Sequence, residues 1–197
     1  MTLFQATVLA LIQALSEFLP ISSSGHLILI PHLLGWPDQG LLFDEALNTG
    51  TLLAVCAYFR RELVVIVRDA FRSIVARRFV GQGRFAFMLG VGTIPVAVAG
   101  LLLADWVATV FRSANLVAVN LIVFGVILAV VDWRARRDRE LASFTWRDAL
   151  LIGCAQALSL IPGTSRSGIT MTMALLLGFQ RAEAARYSFL LSVPVGV

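Results

Sequence analysis

The sequence predicts an all-α, polytopic membrane protein, a single integral domain built as an inverted-topology repeat with two re-entrant helix-loop-helix segments. Three observations predict it. The 197-residue chain is 58% hydrophobic and 14% charged, with a mean hydropathy of +0.85; a soluble domain of this size could not bury so much apolar surface around one core. Ala86–Ala104 and Ser113–Val131 are each 19 residues without a charge, close to the roughly 20 that cross hydrocarbon as a helix. Two further apolar stretches, one in each half, are broken by proline, serine and glycine.

Met1–Phe4 lacks a basic region and the first apolar stretch runs into Glu17 and Pro20, so no cleaved signal peptide is expected. Leu3–Ser16 is 14 residues long before Glu17, Pro20 and a serine run interrupt it, and Leu27–Trp36 resumes the apolar pattern. Neither half can span alone. Two half-helices meeting at a polar turn fit best, because irregular backbone at membrane depth survives only when buried in protein or lining a wet cavity. A single crossing broken at Pro20 is the alternative. Phe43–Phe59 is a third candidate span, with Asp44 and Glu45 in its first turn, where carboxylates meet the positive end of the helix dipole.

The loop Arg60–Arg84 holds seven arginines and the loop Arg134–Arg147 holds five, whereas the turn between the two 19-residue runs carries only Asp105 and Arg112. The arginine-rich loops are therefore expected in the cytoplasm. Ala149–Ile161, then Pro162–Gly168, then Ile169–Phe179 repeats the broken pattern, and the polar loop after it contains Arg181 and Arg186. On this threading the second broken segment dips in from the cytoplasm and the first from outside. Gln13-Ala14-Leu15-Ser16 is echoed by Gln156-Ala157-Leu158-Ser159, which places a first repeat at about 1–104 and a second at about 113–197, their discontinuous helices meeting near the midplane.

All 16 basic residues are arginine, clustered between apolar spans, where membrane orientation explains them; no nucleic acid partner is expected. Cys56 and Cys154 lie in apolar segments without partners at metal-ligand spacing and read as small buried hydrophobes.

The polar residues of the two breaks are the candidates for chemistry. Gln13 and Glu17 stand at i and i+4 on one helix face, and a carboxylate among Leu15, Phe18 and Leu19 must be paired, protonated or bound to a cation. Ser22-Ser23-Ser24-Gly25-His26 supplies hydroxyls and unpaired N–H groups at a helix N-terminus, an anion site; the bland reading is a set of N-caps and an interfacial imidazole. Arg166, between Ser165 and Ser167 and two residues after Thr164, cannot easily snorkel and needs an anion: a phosphate, for which guanidinium is shaped, or Glu17 across the repeat.

Gln13-x-x-x-Glu17, then Phe18-Leu19-Pro20-Ile21-Ser22-Ser23-Ser24-Gly25-His26, and later Pro162-Gly163-Thr164-Ser165-Arg166-Ser167-Gly168 resemble the signatures of the bacitracin-resistance type of undecaprenyl-pyrophosphate phosphatase. The likeness extends to Phe43-Asp44 and to Ser188-Phe189-Leu190-Leu191. It implies dephosphorylation of undecaprenyl pyrophosphate to undecaprenyl phosphate, the lipid carrier for cell-wall glycans, in the bacterial inner membrane at a site open to the outer face. Members of that family usually carry two further spans, so the chain is expected to be either a fragment or a shortened member, with a second repeat that is C-terminally incomplete.

By this resemblance Ser23 is the expected nucleophile, with Glu17 or His26 as base and Arg166 holding charge on the transferred phosphoryl group. Gln13, Ser22, Ser24, Gly25, Thr164, Ser165 and Ser167 are the expected substrate-binding residues. Glu17 has an alternative role as ligand of a weakly held, substrate-bridged Mg²⁺ or Ca²⁺. The partners expected are the polyprenyl pyrophosphate substrate and membrane lipids, and a homodimer is allowed. The competing function is a secondary transporter or flippase of polyprenyl phosphate lipids, since broken-helix repeats are also a transporter architecture.

Overall fold

In the first helix of the computed structural model, α1 (Leu3–Phe18), a capping box sets the start. Thr2 Oγ1 accepts from the Gln5 N–H at 3.2 Å and Gln5 Oε1 accepts from the Thr2 N–H at 2.8 Å, satisfying two orphan donors reciprocally. The structure describes residues 1–109 and 114–196, and they are helical throughout apart from turns and short 3₁₀ segments. After α1 come α2 (Ser23–Leu34), α3 (Leu41–Tyr58), α4 (Arg60–Ala76), α5 (Gly83–Thr109), α6 (Ala114–Arg134), α7 (Trp146–Gln156), α8 (Arg166–Leu176) and α9 (Arg181–Gly196).

Among the described residues α5 and α6 are the two helices long and apolar enough to cross a membrane. Only 6% of the most apolar window of α6 is buried, and Leu101, Leu102 and Ile122 point outward. A soluble core helix would be covered; these suit lipid. α3 forms over the expected span, but Asp44, Glu45 and Asn48 in its first half keep it less apolar than the other two. The expected turn residue Arg112, the expected span start Ser113, and Val197 lie outside the described residues.

Both breaks are real interruptions of helix. α1 stops at Phe18 and α2 begins at Ser23. α7 stops at Gln156, continues as a 3₁₀ turn over Ala157–Leu160, and α8 begins at Arg166. Proline at 20 and 162 cannot donate to a ladder, and Gly163 adopts φ +91, a conformation that only glycine takes freely. Both second half-helices start earlier than the hydrophobic pattern indicates, because Ser22 and Ser165 act as N-caps and draw the polar residues into the first turn.

Two expectations are corrected. Most of Arg60–Arg84 is not loop but helix α4, whose buried face is largely polar and so invisible to a search for apolar stripes. Cys154 is exposed and Cys56 only half-buried, since an apolar residue in this fold can face outward instead of into the core.

The packed core lies where α5, α7, α8 and α9 meet, around Met88, Ile152, Leu175, Phe179, Tyr187 and Leu190. Helices α5 and α7 touch backbone to backbone: a Cβ on Gly153 would lie 2.5 Å from the Gly92 carbonyl oxygen. This close pair holds α7 so that its broken end, and α8 behind it, face the break between α1 and α2.

Candidate active site at two helix N-termini

The two breaks are capped alike. Ser22, at φ 65 and ψ 92, accepts from the Gly25 N–H at 3.4 Å, and its hydroxyl lies 3.4 Å from that of Ser24. Ser165 accepts from the Gly168 N–H at 3.0 Å, and its hydroxyl lies 3.2 Å from that of Ser167. A non-glycine residue with positive φ is costly unless its surroundings hold it; here the strain delivers Ser23 into the first turn of α2. First-turn N–H groups lack intrahelical acceptors and carry the positive end of the helix dipole. The first turns of α2 and α8 both line one cavity.

That cavity, about 430 Å³, is lined by Glu17 from α1, Ser22–Ser24, Thr164–Ser167, and Glu45, Asn48 and Thr49 from α3. Glu17 joins its halves. Its Oε1 accepts from Arg166 Nη2 at 2.7 Å, and its Oε2 accepts from Ser23 Oγ at 2.5 Å and from Gln13 Nε2 at 3.3 Å. The distance to Ser23 is that of a charge-assisted O–H···O⁻ bond. Gln13 is buried beneath and also donates to Asn48 Oδ1 at 2.8 Å and to Thr51 Oγ1 at 3.4 Å, tying α1 to α3. Ser167 closes the junction by donating to the Glu17 backbone carbonyl at 3.4 Å.

Glu17 is the more enclosed member of its ion pair, its side chain 16% exposed against 32% for Arg166. The guanidinium has five N–H donors, so it can hold the carboxylate on one side and present others to the cavity. In the same wall Thr164 Oγ1 is buried without a hydrogen-bond partner among the described residues, a group that the oxygen of a bound ligand would satisfy.

Of the residues expected from sequence, the structure brings together Glu17, Ser22, Ser23, Ser24, Thr164, Ser165, Arg166 and Ser167, with Gln13 supporting from below. Gly25 packs behind the cavity against Leu121 of α6. His26 is placed elsewhere. Its Nδ1 lies 2.7 Å from the Ser22 carbonyl oxygen, and its ring lines a separate crevice with Pro20, Leu121, Phe124 and Gly163. The sequence reading missed the contribution of α3. Glu45, Asn48, Thr49 and Thr51, like Asp44, are polar positions in a largely apolar helix, and that anomaly was the available signal.

The profile of the family described as "Bacitracin resistance protein BacA" matches residues 6–197. The chain belongs to the BacA family. Curated relatives agree with this. The chain is 50% identical over 195 residues to the "Undecaprenyl-diphosphatase" of Marinobacter nauticus, covering 99% of this chain and 74% of that one. It is 54% identical over 195 residues to the "Undecaprenyl-diphosphatase" of Thioalkalivibrio sulfidiphilus, covering 99% and 73%. It is 54% identical over 198 residues to the "Undecaprenyl-diphosphatase 2" of Stutzerimonas stutzeri, again covering 99% and 73%. The BacA match takes in both capped breaks and the α3 segment, and so the whole cavity wall from Ser16 to Gly196.

Proposed function

We infer that this BacA-family chain hydrolyses undecaprenyl pyrophosphate to undecaprenyl phosphate and inorganic phosphate in the bacterial inner membrane. The names of its relatives support the substrate. The observation that carries the chemistry is the single carboxylate of Glu17 bridging a hydroxyl and a guanidinium, Ser23 and Arg166, at one polar cavity.

The pyrophosphate head enters with its terminal phosphoryl group between the N-termini of α2 and α8. Arg166, the Thr164 hydroxyl and first-turn N–H groups hold its oxygens and stabilise the charge of an in-line transition state. Ser23 Oγ attacks the terminal phosphorus as its proton passes to Glu17. The bond from phosphorus to the bridging oxygen breaks, and undecaprenyl phosphate leaves. Water then attacks the phosphorus of the phosphoserine, the bond from phosphorus to Ser23 Oγ breaks, and the leaving oxygen takes its proton back from Glu17. Inorganic phosphate departs with the water oxygen, and free Ser23 and the Glu17 carboxylate are restored. Glu17 is the base in this scheme because it touches the hydroxyl, whereas His26 faces another crevice.

A divalent cation such as Mg²⁺ or Ca²⁺ would neutralise part of the head-group charge. The hard oxygen donors Glu17 and Glu45 suit such an ion bridged by substrate oxygens. They do not suit a full protein cage, since among the described residues no three His, Cys, Asp or Glu side chains converge.

The membrane placement follows the same reading. Gln13 and Gln156, Ser22 and Ser165, and Gly25 and Gly168 all stand 143 positions apart, and the paired caps make matching hydrogen bonds. This constant offset supports an inverted repeat of about 1–104 and 113–197 whose re-entrant segments enter from opposite sides, in a multi-pass chain with the cavity open to the outer face.

The test is phosphate release from undecaprenyl pyrophosphate by the purified full chain in detergent with Mg²⁺ or Ca²⁺, beside Ser23→Ala and Arg166→Ala. Release is expected from the wild type and, from each variant, a loss of about 10² or more. No release from the wild type would favour lipid carriage by the repeat. Near-normal turnover of Ser23→Ala would replace the covalent route with direct attack by water.

A further inference from the structure

Helix α4 is built the opposite way round from a helix on a water-soluble protein. Its inward face carries polar groups beside the core residue Ile66. Glu62 accepts from Arg186 Nη2 at 2.6 Å, Asp69 accepts from the Gln82 N–H at 3.0 Å, and Ser73 accepts from the Val80 N–H at 2.9 Å. Its outward face is apolar: Val64, Val67, Phe71, Ile74 and Val75 recur at helical spacing and are 62% to 70% exposed. Arg61, Arg68 and Arg72 recur at i, i+7 and i+11 along one flank of that stripe, and Arg77 and Arg78 follow at its end. Among the described residues Arg61, Arg72, Arg77 and Arg78 form no salt bridge, and Arg68 reaches only its neighbour Asp69.

In water such a stripe would be an exposed apolar patch of the kind that drives association. Beside a lipid surface the same arrangement is complementary. A stripe of Val, Ile and Phe reaches the acyl boundary, and the arginine flank lies level with phosphates. The hydrogen bonds of Glu62, Asp69 and Ser73 fix the helix roll, so the stripe cannot turn inward without leaving those groups unpaired.

We propose that α4 is an interfacial helix that lies in the cytoplasmic headgroup layer, with its apolar stripe among the acyl chains and Arg61, Arg68 and Arg72 on the phosphates of anionic phospholipids. The proposal rests on the membrane placement above, and the experiment separates the two. Nitroxide labels are placed at Phe71→Cys, Arg78→Cys and Ile122→Cys in the full chain carrying Cys56→Ser and Cys154→Ser. The chain is reconstituted in vesicles of phosphatidylcholine with phosphatidylglycerol. Label accessibility to oxygen and to a water-soluble nickel chelate is then compared.

The Phe71 label is expected to favour oxygen, as the Ile122 label on α6 does, and the Arg78 label to favour nickel. A Phe71 label that favours nickel puts α4 in water. One shielded from both reagents puts a protein surface, such as a second copy, on the stripe. Either result overturns the proposal while the Ile122 label still reports lipid; loss of oxygen access at Ile122 would instead overturn the membrane placement. In a second arm, Arg61, Arg68 and Arg72 are changed together to Gln. Phosphatidylglycerol retained relative to phosphatidylcholine in native mass spectra should fall about tenfold, with phosphate release in detergent unchanged. An unchanged lipid ratio removes the headgroup part of the proposal.

Discussion

Glu17→Gln separates the chemistry of this cavity from its architecture. The amide keeps the size of the side chain, and its carbonyl oxygen can still accept from Arg166. It removes the group to which Ser23 Oγ donates at 2.5 Å and the negative charge 2.7 Å from Arg166 Nη2. Loss of a positioned general base lowers turnover by about 10²–10⁴, which at about 1.36 kcal/mol per decade is roughly 3–5 kcal/mol of transition-state stabilisation. The structural cost is smaller. A charge-assisted hydrogen bond contributes about 1.5–3 kcal/mol, and the lower end applies because Arg166 is 32% exposed to screening. For a chain of 197 residues that corresponds to a fall of about 3–6 °C in the unfolding midpoint.

The assay is steady-state phosphate release in detergent, with the unfolding midpoint measured on the same preparation. Turnover should fall at least a hundredfold, with KM unchanged or lower, since the negative charge that competes with phosphate for Arg166 is gone. Turnover within about threefold of wild type would refute the role of base. So would a raised KM with unchanged turnover, which would make Glu17 a binding group.

The close approach of α5 and α7 predicts that Gly153→Ala pushes the helices apart, because its Cβ would meet the Gly92 carbonyl at 2.5 Å. A loss of about 1–3 kcal/mol should lower the unfolding midpoint, and an unchanged midpoint would refute the contact. Asp69 supplies a pH dependence. Its carboxylate accepts the Gln82 N–H, which with the neighbouring Arg68 and Arg72 charges holds its pKa below the ordinary 3.8 despite its burial. The stabilisation is therefore complete above that value and is lost as pH falls through the lowered pKa of the folded state. The midpoint of wild type should exceed that of Asp69→Asn by a constant margin at neutral pH, and the margin should close in acid below pH 3.8; a margin that persists through that range would contradict the hydrogen bond.

Much of this protein was legible before any coordinates, because the signals are local. A run of 19 uncharged residues has few homes other than lipid, and a proline followed by serines and glycine ends one helix and caps the next within a single turn of backbone. Glu17 and Arg166 were legible for a related reason: a charge among apolar neighbours must have a partner. Three things depended on tertiary structure. Ser22, Ser23 and Ser24 are chemically alike, and only the strained backbone at Ser22 and the position of α1 make Ser23 the one that meets Glu17. Glu17 and His26 read alike in the sequence, and only the packing of α2 against α6 places the imidazole in a crevice apart from the Glu17 carboxylate. Asn48 and Thr49 join the cavity, and Arg166 reaches Glu17, across tens to 149 positions of chain. Local rules determine where a helix stops and what its first turn presents. Which ends meet is decided by how whole helices pack, down to a pair of glycines at the α5–α7 crossing, and no window of sequence short enough to read for pattern contains that information.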